Sequence, residues 1–528
     1  MNLVDNIISI FSPEKALKRQ LAREAINAVR YGRGSGYGYG SHGASYAKKS
    51  LTGWIARGMS ADEDIADNIE TMRARSRDLY MGSPLATGAI KTVRTNVVGS
   101  GLSLNAQIDA EFLGLTDEEA RKWEADVERE WKLWSAGVDC DAERCQNFYQ
   151  LQSLVMISAL LSGDVFVTMP VIKRAGSVYD LRVGLIEADR VCDPDPMPAG
   201  KNIVGGIEVG TYGETRAVWV ANKNPNTYPR WNDTRMTKWT RVQAFGTTTG
   251  RKNILHIMSD VERPAQRRGV PMLAPVIETL KQLTRYTEAE LMASVISGMF
   301  TVFVKSDSPE SPLGAGAFPP MPQAVQRDPN DYALGNGSIV QLNSDESIDI
   351  ANPSRPNTSF DGFVLAVCRQ IGTAMEIPYE LLIKNFTASY SASRASLLEA
   401  WKMFRMRREW LTSQFCQPVY EEWLTEAVLK GRIKANGFFT DPAIRQAWSG
   451  AEWYGDSQGQ LDPLKEANAS KVLVEEGFST REREAMKLTG MQWENITRQR
   501  KTEEEQRKES GLTATPQTPQ PQETDDES

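Results

Sequence analysis

A helical pattern that stops and later resumes constrains this 528-residue chain more than any other feature. Pro271 and Pro275 open a stretch in which Leu273, Val276, Ile277, Leu280 and Leu283 fall on one face. That spacing predicts a helix to about Ser297, roughly 40 Å long at about 1.5 Å per residue. A second helix is predicted from a Ser359 cap to about Met375, on Phe360, Phe363, Val364, Val367 and Ile371. Between the two lie eight of the chain's 26 prolines, from Pro309 to Pro356. Strand-like pieces, Met299 to Lys305 and Ser338 to Ile350, flank that stretch. Two helices therefore bracket a small β-rich insertion, like a stalk with a knob at its end.

The sequence before the stalk alternates between helix and strand signals. Ser60 to Val98 is helical in pattern, and Thr116 to Trp134 is a helix whose first turn carries Asp117, Glu118 and Glu119 to suit the helix dipole. Leu151 to Leu161 is a buried helix and Val165 to Val171 a strand. Tyr179 to Val191 and Ile203 to Ala221 continue as short alternating strands. Residues 60–260 read as one α+β body.

After the stalk, Asn385 to Ser396 is small and polar, with no apolar face of its own. It leads into the longest helix, on which Leu397, Trp401, Phe404, Leu411 and Phe415 recur as a core stripe. Pro418 is expected to kink that helix. Lys402, Arg405, Arg407 and Arg408 form a basic run, which reads as a solvated face or as a contact with a subunit or DNA.

Composition narrows the chemistry. With 41% hydrophobic and 24% charged residues the chain is globular overall. Five scattered cysteines suit reduced thiols in a cytoplasmic setting, and two histidines argue against a zinc or di-metal cluster. A net charge of −7 argues against coating nucleic acid non-specifically. Residues 1–60 hold nine basic and three acidic side chains, whereas 501–528 hold three and eight. The tail from about Ser510, rich in Pro, Gln and Thr, is expected to be disordered and dispensable. The longest uncharged apolar stretch, Leu291 to Val304, has 14 residues, too few to span a bilayer. Asp5 interrupts the apolar start, so no secretory leader is expected.

Gly38, Gly40 and Gly43 form a GxGxxG, but a helix precedes them where a dinucleotide site needs a strand. They read as a flexible Gly/Tyr arm. Glu187, Asp189, Asp193 and Asp195 sit among prolines 194, 196 and 198 and read as a structural turn, not a metal site. No phosphate loop, HExxH, GxSxG or CxxC occurs. No catalytic, cofactor or metal residue is expected.

Several segments carry a resemblance. In chain order they are WIARGMSADED from Trp54, RSRDL from Arg75, NVVGSGL from Asn96, LSGDVFV from Leu161 and LIEADRV from Leu185. RGVPMLAPVIETLKQLTRYTEAEL follows from Arg268, then IPYELLIKNFTASYSASRASLLEAW from Ile377 and WYGDSQGQLDPLKEANA from Trp453. Together the chain resembles a lambda-type tailed-bacteriophage portal protein from residue 1 to about 510. It departs in the Tyr/Gly-rich segment 31–46 and in the Pro-rich knob.

The resemblance implies an α+β portal fold and a homo-oligomeric ring, dodecameric in virions, at one capsid vertex. Double-stranded DNA would enter and leave through its channel. The implied parts are an N-terminal helix and basic arm (1–59), a wing (60–269), stem helices (270–298 and 359–384) and a clip (299–358). A tunnel loop (385–396), a kinked helix with crown (397–509) and an acidic tail (510–528) complete it. The tunnel loop would bring Asn385, Phe386, Thr387, Ser389, Tyr390, Ser391, Ser393 and Arg394 to the DNA. Lys402, Arg405 and Arg408 would reach DNA or the next subunit. Implied partners are the terminase large subunit, a head-completion or connector protein, and the major capsid protein with its scaffold, without a membrane. No cofactor is implied and the ATPase would reside in the terminase. A nucleic-acid enzyme of the packaging machinery and another oligomeric capsid scaffold component are the competing readings.

Overall fold

The computed structural model describes residues 48–51, 54, 56, 58–227, 236–298, 302–306, 346–350, 360–386, 389–457, 463–490 and 493–510. The Gly/Tyr arm, the prolines of the knob, Ser359, Thr387 and the acidic tail lie outside these residues. The chain divides into two units, 1–64 and 65–528. Ser60 of the first caps helix α1 (Ala61–Ala66), which runs across the boundary: its hydroxyl accepts the Glu63 N–H at 3.2 Å, and the Glu63 carboxylate accepts the Ser60 N–H at 3.0 Å.

In the second unit, α2 (Ile69–Gly82) and α3 (Pro84–Val97) form the helical stretch expected before Val98. Ala86, Ala89, Ile90, Val93 and Val97 of α3 are fully buried. A short α4 (Ala110–Leu113) precedes α5 (Asp117–Ser135), which starts at a capping box of Thr116 and Glu119. Helix α6 (Phe148–Ser162) is buried on most of its surface.

Strand β2 (Asp164–Thr168) lies antiparallel between β3 (Gly184–Ile186) and β8 (Ile254–Met258). It is shorter than the Val165 to Val171 expectation because Pro170 has no N–H to give the ladder. A second antiparallel sheet runs β4 (Ile203–Val204), β5 (Ile207–Val209), β6 (Thr215–Ala221), β7 (Trp239–Gln243). Phe166, Val191, Ile207, Val218, Val220 and Ile254 form its own small core.

The stalk is present. Helix α7 (Ile277–Gly298) packs against α8 (Phe360–Ala374), with the Tyr286 ring 5.7 Å from Phe360 and 5.1 Å from Phe363. Beyond α7, β9 (Val302–Ser306) pairs antiparallel with β10 (Glu346–Ile350), Val302 opposite Ile350. The two strand-like pieces thus meet as the ladder that leads into and out of the insertion.

The C-terminal third packs into the same core as the body. After α9 (Tyr379–Ile383), helix α10 (Tyr390–Leu411) passes through a π-helical turn, Thr412–Cys416, into α11 (Gln417–Leu429). Pro418 explains that turn: its ring and missing N–H disallow regular bonding to the preceding turn, so the helix widens ahead of it. Leu411, Phe415, Val419, Tyr420, Trp423 and Leu424 are fully buried in the same core as α3, α5 and α6. At its centre Trp131 of α5 meets Trp134 at 4.9 Å, Phe148 at 5.0 Å, Trp423 at 5.2 Å, Tyr420 at 5.8 Å and Trp453 at 5.8 Å. Beyond α12 (Pro442–Trp448), β11 (Ala451–Tyr454) pairs antiparallel with β1 (Ser103–Ala106), Ser103 opposite Tyr454. Helices α13 (Pro463–Glu475), α14 (Arg481–Thr489) and α15 (Trp493–Glu509) follow. No helix among the described residues is long and apolar enough to cross a membrane.

Candidate channel segment

Residues 375–396 link α8 to α10. Gly372 near the end of α8 admits the Ile377 carbonyl, which a Cβ there would meet at 2.5 Å. Glu376 then takes φ 56°, and Pro378 opens α9. Lys384 closes α9 in the left-handed region at φ 55°, and Asn385 donates its N–H to the Glu380 carbonyl at 3.0 Å. Leu382 anchors the turn in the core.

The expected loop over 385–396 is only half a loop. Ser389 is the N-cap of α10, its hydroxyl accepting the Ala392 N–H at 3.4 Å. Tyr390, Ser391, Ser393 and Arg394 therefore lie on the first turns of a helix. The small polar composition read as loop is the Ser-capped start of that helix, which tertiary packing further on sustains. Asn385 and Phe386 are exposed, Ser393 is half-buried, and Thr387 lies outside the described residues. Arg394 approaches Glu466 of α13 in its own chain at 3.8 Å.

The basic run separates by face. Lys402 is exposed and pairs with Glu399 at 2.5 Å, while Arg405 is exposed. Arg407 is buried and meets Asp260 at 3.4 Å. Arg408 is half-buried and bonded within its own chain. Its guanidinium donates to the carbonyls of Val97 at 2.9 Å, Asn96 at 3.0 Å and Asp456 at 3.2 Å, and lies 5.7 Å from the Trp401 ring centre. Asp456 also accepts from the Ser100 N–H at 2.8 Å and hydroxyl at 2.6 Å, so the NVVGSGL and WYGDSQG segments are tied together here.

Four other resemblance segments converge on one buried charge cluster that sequence reading missed. Asp164 of LSGDVFV is fully buried. It accepts from Arg268 at 2.7 and 3.2 Å, Arg73 at 2.7 Å, the Gly269 N–H at 3.2 Å and His256 Nε2 at 3.2 Å. Because an ionised carboxylate only accepts, Nε2 of His256 carries the proton in that bond. Arg268 spends its remaining donors on the carbonyls of Gly205 at 2.6 Å, Val191 at 2.7 Å and Ala188 at 2.8 Å. Arg73 and Arg77 pair with Asp189, and Arg77 reaches Glu187 at 3.4 Å. Asp193 accepts the Gly206 N–H at 2.6 Å. The acidic turn is thus tied into the body by arginines and backbone. Burial alone would raise the Asp164 pKa, but Arg268 and Arg73 outweigh it and hold the carboxyl far below its usual range. Burial brings Arg73 down to about 10.

Burial also lowers the His256 pKa from its ordinary value, against the pull of Asp164 and with Arg268 and Arg73 adding to the fall. The unfolded chain then binds a proton at His256 below about pH 6.5 that the folded chain refuses, so stability falls as pH drops through that range. His256→Gln, which keeps one donor for Asp164, is expected to flatten the fall in melting temperature between pH 7 and pH 5. Parallel melting curves for both proteins across that range would show that His256 does not contribute.

The family profile described as phage portal protein, lambda family, matches residues 47–408. The chain belongs to that family. As a portal protein it is similar to portal protein B of Escherichia phage lambda, 24% identical over 500 residues that cover 91% of this chain and 90% of that one. The portal protein of Escherichia phage N15 is also 24% identical, over 495 residues covering 90% and 91%. Among solved structures, a chain in the neck of a native gene transfer agent particle computed with C12 symmetry matches at TM-score 0.42 and 13% identity, covering 79% of this chain and 92% of that one. All the segments quoted in the sequence analysis but the one from Trp453 lie within the matched residues.

Proposed function

We propose that copies of this portal protein form the ring, dodecameric in the virion, through which double-stranded DNA is packaged and ejected at one capsid vertex. The observation that carries the ring is an apolar strip on the stem. Leu291, Met292 and Val295 share one face of α7 and are 65%, 58% and 45% exposed in a single chain. Such a strip costs solubility unless a neighbour covers it. A head-to-tail interface that closes on itself does so with one repeated contact.

In this reading α7 and α8 are the stem, and the insertion on β9 and β10 is the clip that docks the terminase large subunit and later the head-completion protein. The wing is residues 60–269 completed by 411–454, and α13 to α15 form the crown. Asn385, Phe386 and Ser389 face the channel, with Thr387 between them, while Ser391 lies one turn along α10. The major capsid protein and scaffold surround the ring, assembly takes place in the host cytoplasm, and the chain has no nucleotide hydrolysis of its own. An assembly of net acidic subunits lets a polyanion slide where dense Lys and Arg would hold it. Leu291→Asp combined with Val295→Asp should abolish rings in light scattering and negative-stain images while leaving the thermal transition of the body in place. Intact rings in that variant would refute the stem interface.

A further inference from the structure

We infer that Glu380 of one subunit binds Arg405 of the next, an ion pair that sets the register of the ring; this rests on the ring reading above. A groove of about 870 Å³ runs between α8, α9 and α10, lined among others by Arg369, Glu376, Tyr379, Glu380, Lys402 and Met406. Its charges do not balance internally. Lys402 is taken by Glu399 at 2.5 Å, and Arg369 lies 4.9 Å from the Tyr379 ring centre. Glu376 is exposed to solvent, but Glu380 is only 7% exposed, and its carboxylate has no hydrogen-bond or ion-pair partner among the described residues. A carboxylate lining a groove without a partner in its own chain is an acceptor open to a cation from another chain.

The chain carries a matching donor beside the groove. Arg405 is exposed on α10 and has no partner among the described residues, unlike Lys402, Arg407 and Arg408 on the same helix. At about 100° per residue, Ser396, Glu399, Lys402, Met403 and Met406 fall on the groove face, and Arg405 falls roughly 120° round from its centre. A side chain there points away from its own groove. One helix therefore offers an acceptor groove on one side and a free guanidinium on another, the arrangement a heterologous contact requires. Guanidinium suits the partner role because it is weakly hydrated and forks onto a carboxylate. The groove's occupant is a second copy of this chain.

The test uses full-length protein, with light scattering and native mass spectrometry. Arg405→Glu alone and Glu380→Lys alone should each raise the concentration needed for rings by at least about tenfold. Mixing the two variants should restore rings of alternating chains, because every junction then pairs one cation with one carboxylate. If circular dichroism shows Glu380→Lys unfolded, Glu380→Gln and Arg405→Gln replace the pair, and the double variant should assemble no worse than the weaker single. Failure of folded charge-reversed chains to rescue each other, or additive losses in the Gln series, overturns the pair. Wild-type rings with unaffected Arg405→Glu assembly overturn it while leaving the ring reading intact. A wild-type chain that stays monomeric at every concentration overturns the ring itself.

Discussion

Asp164→Asn is expected to cost about 3–5 kcal/mol of folding stability, the range for removing one partner of a buried ion pair. Arg73 and Arg268, each 3% exposed, would be left facing an amide that offers one acceptor oxygen. Arg268 also fastens three carbonyls from the 188–205 region, so its displacement would loosen that whole turn. The neighbouring backbone leaves no room to adjust: a Cβ on Gly269 would stand 2.0 Å from the Gly163 carbonyl oxygen. Urea unfolding of the purified chain at pH 7 measures the loss directly. A midpoint within error of the wild type would mean that the cluster is not what fastens these segments. Because the Asp164 pKa is depressed in the fold, its contribution is complete above about pH 4 and disappears only as pH falls below that.

Trp131→Ala should be nearly as damaging, about 3–5 kcal/mol by the usual cost of emptying an aromatic site in a core. Trp131 is 2% exposed and touches rings from α5, α6, α11 and β11, so no single element can move in to fill the space. Trp131→Phe keeps the edge-on contacts with a smaller ring and should cost about half as much. Thermal melting of both variants checks the order. Equal losses would indicate that the indole contributes through something other than packing volume.

The sequence was most legible where one physical rule dominated. Prolines 271 and 275 with a clean apolar stripe announced α7, and Thr116 with Glu119 marked the start of α5. Pro418 announced the break that the π-turn provides. Legibility failed where a residue's role depends on a distant partner. Asp164 reads as the polar start of a strand, and nothing local tells that Arg73 and Arg268 will close on it. Arg405 and Arg408 belong to one basic run, yet the carbonyls of Asn96 and Val97 claim only the second. Asn385 to Ser396 looked like one loop because Ser and Ala carry no stripe, whereas Ser389 caps a helix sustained by packing from Trp401 onward.

Strands β1 and β11 set Ser103 beside Tyr454 and Ala106 beside Ala451. On a ribosome adding about 5–20 residues per second, roughly 20–70 seconds separate the emergence of those partners. For most of that interval Trp131 lacks the rings of Tyr420, Trp423 and Trp453, and Phe148 lacks those of Phe415 and Trp453. The stem and its insertion leave the exit tunnel before the body that carries them is complete. The strand pair therefore defers completion of the body's core until residues near 454 have been added.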